Sequence, residues 1–116
     1  MIDGGETPPM AFARALIDTG SDITVVSASI LQQVRASLLG TTKTSGIAGS
    51  TPVRLFAASL FIFDSSNVHS PWIVRSDLKV MELPGSLEFD VLIGLDVLRT
   101  CTMVVDGPGG RFALDG

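Results

Sequence analysis

The sequence predicts a mostly β, single-domain protein with one or two short helices, on three observations. Apolar residues rich in Val, Ile, Leu and Phe gather in short runs that suit a pleated, half-buried surface. Gly, Pro, Asn, Asp and Ser punctuate those runs as turn signals. Helical spacing is sustained over one stretch, Ile30, Leu31, Val34 and Leu38, and a second short helix is expected after Gly94.

At 116 residues the chain has room for one domain with one core. Hydrophobic residues make up 46% and charged ones 17%, the balance of an ordered, well-buried chain. A formal net charge of −4 leaves no basic footprint for nucleic acid or an anionic membrane. The single cysteine, Cys101, has no partner for an internal disulfide, so no oxidising compartment is required; it reads as a small buried residue on a strand. No signal peptide is expected, because Met1 to Pro9 is acidic and Gly/Pro-rich with no apolar core. Apolar runs such as Leu55 to Phe63 fall short of the ~20 residues a membrane helix needs. A cytoplasmic protein, or a domain of a larger precursor, fits these features.

In chain order, residues 1–9 read as a flexible lead-in and 10–116 as the folded domain. Met10 to Ile17 is the first strand, with Arg14 toward water, and Ile23 to Val26 is the second. Ser27-Ala28-Ser29 offers an N-cap to an amphipathic helix over Ala28 to Leu39, with Gly40 as its C′ stop. Thr41 to Pro52 is polar and Gly-dotted, a hairpin or loop. Val53 to Phe63 is a long strand bent near Ala57-Ala58, and Val68 to Val74 returns after a turn at Asp64 to Asn67. His69 lies near that turn, remote from any cysteine or second histidine, and Trp72 reads as a packing residue. Leu78 to Leu83 and Asp90 to Ile93 are further strands, the latter turned at Gly94 into a short helix through Arg99. Cys101 to Val105 and Arg111 to Leu114, around Asp106 to Gly110, form a closing β-hairpin.

The chemistry concentrates at Ala15-Leu16-Ile17-Asp18-Thr19-Gly20-Ser21-Asp22-Ile23-Thr24-Val25-Val26, where a buried run stops on a carboxylate and a glycine follows two residues later. A carboxylate at the end of a buried strand is costly unless hydrogen-bonded, paired or catalytic. This segment resembles the active-site loop of the aspartic proteases, in the setting of the retroviral-type branch, the retropepsins. A second stretch, Phe89-Asp90-Val91-Leu92-Ile93-Gly94-Leu95-Asp96-Val97-Leu98, is similar to that family's apolar-apolar-Gly motif and the helix after it. The resemblance covers roughly Ala11 to Leu114 and implies a closed, β-barrel-like fold.

It also implies roles. Asp18, Thr19 and Gly20 would be the catalytic loop. Ser21 and Asp22 would face substrate, Asp22 on its backbone. Gly46, Ile47, Ala48 and Gly49 would tip a flap over an extended peptide, and Leu92, with Leu16 and Val25, would line side-chain pockets. The family's arginine that holds the equivalent of Asp22 is replaced here by Leu95, and its usual N-terminal interface strand has little counterpart.

Hydrolysis by carboxylates needs two of them sharing one proton, one as base on water and one as donor. The chain carries a single Asp-Thr-Gly. The expected enzyme is therefore a homodimeric aspartic endopeptidase acting on polypeptide, with no cofactor and no metal, and with one Asp18 from each subunit. The alternative is a retropepsin-like module that dimerises or binds peptide without catalysis.

Overall fold

A computed structural model describes residues 9–46, 49–64, 72–83 and 88–116, with backbone alone over 44–46 and 49–50. Its elements in chain order are β1 (Ala15–Ile17), β2 (Val25–Ser27), α1 (Ala28–Gln33), β3 (Ser37–Gly46), β4 (Gly49–Ile62), β5 (Ile73–Leu83), β6 (Val91–Ile93), α2 (Leu95–Leu98), β7 (Thr102–Asp106) and β8 (Arg111–Asp115). The protein is mostly β with two short helices, as the runs of β-branched residues predict.

Six strands form one mixed sheet in the order β1-β6-β2-β5-β4-β3. β6 lies between β1, to which it is parallel, and β2, to which it is antiparallel. β2 in turn runs parallel to β5, and β5-β4-β3 is an antiparallel meander. The short β1, β2 and β6 are thus gathered side by side although β6 lies far along the chain. That arrangement brings the end of β1 to the end of β6.

The expected closed barrel is not found among the described residues. A barrel closes only when its two edge strands pair with each other. Here the edges are β1 and β3, on opposite sides of an open sheet, and β7 and β8 form a separate two-stranded sheet.

The core is built from Val26, Leu31, Phe56, Val80, Val91, Ile93, Val97 and Leu98. Alternation decides this set: along β6, Val91 and Ile93 face the core, and Leu92 between them faces the other way. Each fully buried Val or Leu is worth ~1.5–3 kcal/mol, enough for a few such residues to anchor the two short helices.

Several expected boundaries move. The helix predicted to Leu39 ends at Gln33, with Val34 as its C-cap. Arg35 takes φ 53°, and the Ala36 and Arg35 amides donate back to the carbonyls of Leu31 and Gln32 at 3.0 and 3.2 Å, closing the last turn. Ser37 onward is then drawn into β3 by pairing with β4, so tertiary pairing overrides the helical spacing of Leu38. Gly40 is not a helix stop; it sits in β3 at φ 155°, where the β3–β4 register shifts. Ser27 does cap α1, its hydroxyl accepting from the Ile30 amide at 3.3 Å.

The first strand begins only at Ala15, and Thr41 to Pro52 is largely strand. The bend expected near Ala57-Ala58 appears as a register shift between Ala58 and Leu60. β5 runs unbroken from Ile73 to Leu83, joining two strands expected to be separate, and His69 lies outside the described residues. Cys101 is half-buried in the bend before β7, not on a strand. Trp72 is 57% exposed, and its indole N–H donates to the Leu114 carbonyl at 2.8 Å, tying β8 to the root of β5. Among the described residues, no helix is long and apolar enough to cross a membrane.

Candidate active site

The parallel pairing of β1 with β6 places Ile17 beside Ile93, so the chain leaves both strands at the same point. Asp18 follows directly, and its amide donates to the Ile93 carbonyl at 2.9 Å. The loop then folds on itself. The Gly20 amide donates to Asp18 Oδ1 at 3.0 Å, and the Ser21 amide donates to the Asp18 carbonyl at 3.2 Å. Asp18 is half-buried, while Thr19 and Gly20 are exposed. A Cβ on Gly20 would stand 3.2 Å from Asp18 Oδ1, so the glycine lets its own amide reach the carboxylate.

The start of α2 grips the loop from the other side. Leu95 N–H donates to the Ser21 carbonyl at 2.7 Å, and Asp96 N–H to the Asp22 carbonyl at 3.2 Å. The Ser21 hydroxyl donates within the loop, to the Ile23 carbonyl at 2.6 Å. Ser21 is therefore occupied in holding the turn. Asp22 is exposed, and among the described residues its carboxylate has no hydrogen-bond or ionic partner; Leu95 is half-buried. The Thr19 hydroxyl likewise has no partner among the described residues.

Neither a protein-family model nor a curated protein matches this chain.

The other expected site residues divide into two groups. Leu92 pairs with Leu16 on β1 and with Val25 on β2, so these three form a row on the sheet face turned away from Val91 and Ile93. Val25 is buried, Leu92 half-buried and Leu16 42% exposed, so only the Leu16 end of the row opens to solvent. Gly46 and Gly49 pair at the end of the β3–β4 hairpin. Ile47 and Ala48 lie outside the described residues. By sheet order that hairpin occupies the edge opposite β1.

A groove of about 410 Å³ opens beside the loop, lined by Leu16, Thr19, Met103, Val105, Arg111 and Phe112 among others. It runs between the Asp18 loop and the β7–β8 hairpin, whose Val104, Val105 and Phe112 are exposed. Among the described residues, no group of three or more His, Cys, Asp or Glu side chains is arranged to hold a metal ion.

Sequence reasoning missed Thr24 and Asp96. Thr24 is fully buried at 0% exposure, and both its amide and its hydroxyl donate to the Asp96 carboxylate, at 2.9 and 2.7 Å. The available signal was the hydroxyl itself: a threonine inside the Ile23 to Val26 apolar run needs a buried partner, and Asp96 in the first turn of the helix after Gly94 is one.

Proposed function

We propose that this protein is an aspartic endopeptidase whose active site is completed by a second copy of the chain. The observation that carries this reading is the setting of Asp18. It ends a strand, its amide is anchored on Ile93, its Oδ1 accepts from Gly20, and its Oδ2 has no partner among the described residues. A carboxylate so held, half-exposed and open on one side, suits the activation of a water molecule.

One Asp18 is half of the required pair, and two adjacent carboxylates resist ionising together, so one of them keeps a proton. In the dimer, one Asp18 takes a proton from the attacking water as the other donates to the peptide carbonyl. The tetrahedral intermediate then collapses as a proton passes to the leaving nitrogen. The exposed, unpartnered Thr19 hydroxyls suit a contact across the two-fold axis. The exposed apolar side chains of β7 and β8, continuous with the groove at Thr19, suit the subunit contact. The segment Gly46, Ile47, Ala48 and Gly49 would close over the extended peptide, with Asp22 and Leu92 contributing to its binding.

The unpaired Asp22 and Leu95 favour a second reading, a dimerising or peptide-binding module without catalysis. Digestion of a peptide library across pH separates the two. Wild-type protein should cleave, best at acid pH, and folded Asp18→Asn should not. Equal cleavage by both proteins, free of contaminants, would remove Asp18 from the chemistry; no cleavage by wild type would leave the binding module.

A further inference from the structure

In the segment from Asp18 to Thr24, Thr19, Gly20 and Asp22 are exposed and Thr24 alone is fully buried, so polar contacts carry much of what holds it. Its backbone is bonded at Asp18, Ser21 and Asp22 to the stretch Ile93 to Asp96. Among the described residues, one side chain from outside the segment also bonds to it, and that is Asp96. Asp96 Oδ2 accepts from the Thr24 amide at 2.9 Å, and Oδ1 accepts from the Thr24 hydroxyl at 2.7 Å and the Val97 amide at 2.9 Å. The Thr24 hydroxyl in turn accepts from the Gly94 amide at 3.1 Å. Gly94 is bonded covalently to Ile93, whose carbonyl receives the Asp18 amide.

We propose that Asp96 is the positioning residue of the Asp18 loop, fixing the catalytic carboxylate through Thr24 and Gly94. The proposal rests on the protease reading for its consequence in catalysis, but not for the coupling itself. Three donors converge on the Asp96 carboxylate, and charge-assisted bonds of this kind are the stronger ones. Thr24 is fully buried and Asp96 half-buried, and no buried side-chain polar atom described lacks a partner, so the network can hold one geometry. The side-chain clamp on this loop comes from Asp96 and acts at the far end of the loop, at Thr24. Catalytic carboxylates tolerate little displacement, so a loosened clamp should slow turnover more than it weakens peptide binding.

Asp96→Asn tests this. It is nearly isosteric, but its amide presents N–H groups to one of the two Thr24 donors or to Val97. Amide hydrogen exchange should quicken about tenfold or more at Gly20 and Ser21, whose amides bond to Asp18, and stay unchanged in the β3–β4 pair. The kcat should fall roughly tenfold to a hundredfold with KM little changed. Thr24→Val should reproduce both effects and Thr24→Ser should restore them; should Asp96→Asn not fold, these two variants carry the same comparison. Unaltered exchange at Gly20 and Ser21 would overturn the proposal, as would an equal rise throughout the sheet, which marks general stability alone. Exchange needs no catalysis, so an inactive wild type would sink the protease reading while the coupling of Asp96 to Asp18 is still decided.

Discussion

Gly94 and Ile23 approach so closely that a Cβ on Gly94 would lie 2.7 Å from the Ile23 carbonyl oxygen, and 2.8 Å from that of Ser21. Both obstacles are backbone atoms of the Asp18 loop, which cannot rotate aside as a side chain would. Gly94→Ala should therefore cost about 1–3 kcal/mol, as overpacking does. Urea unfolding should show the midpoint fall by the corresponding amount; an unchanged midpoint would mean that the loop and α2 part easily.

Thr19→Ala should weaken self-association more than it weakens the single-chain fold. The hydroxyl makes no bond among the described residues, so its removal leaves nothing unsatisfied within the chain. A bond across a two-fold axis is lost twice, at ~0.5–1.5 kcal/mol each. Sedimentation equilibrium measures this directly, and identical monomer–dimer constants would place Thr19 away from the interface.

Mixing wild-type and Asp18→Asn chains tests the shared site. With equal amounts and full exchange, about a quarter of the dimers are wild type on both sides. Total activity should then settle at about half that of the same wild-type protein alone, since its chains are diluted into mixed dimers. A site within one chain predicts no loss at all, and that outcome in a sample with demonstrated exchange excludes the shared arrangement.

Arg54 and Glu82 join β4 to β5 through two bonds, Nε to Oε1 at 2.8 Å and Nη2 to Oε2 at 2.6 Å. The Arg54 hydrogen bond holds the Glu82 carboxyl below its usual range, against the opposing effect of burial. A lowered folded pKa gives stability that is present above the unfolded value of about 4.3 and lost as pH falls through the folded one. Arg54 is largely exposed, so screening keeps the effect small. Arg54→Met should therefore lose less stability than wild type between about pH 6 and pH 3, a gap that high salt narrows. Equal losses, read from urea midpoints, would show the pair to be neutral.

Much of the architecture is legible in the sequence because its signals are local. The β-branched runs around Asp18, the cap at Ser27, the turn at Gly94 and the closing hairpin each depend on a few neighbouring residues, and all appear near their expected places. The candidate loop was legible for the same reason: a carboxylate followed by Thr-Gly between two apolar runs is a local pattern. The end of α1 was not, because Leu38 continues the helical spacing while its backbone pairs with Phe56 across the sheet. Only tertiary structure decided that β6 would lie between β1 and β2, bringing Ile93 to Asp18, and that β1 and β3 would remain separate edges. It also decided the partnership of Thr24 with Asp96, residues 72 positions apart. Spacing along the chain carries no record of such a contact; it arises because a buried hydroxyl must find an acceptor, and the parallel pairing of β1 with β6 brings one within reach.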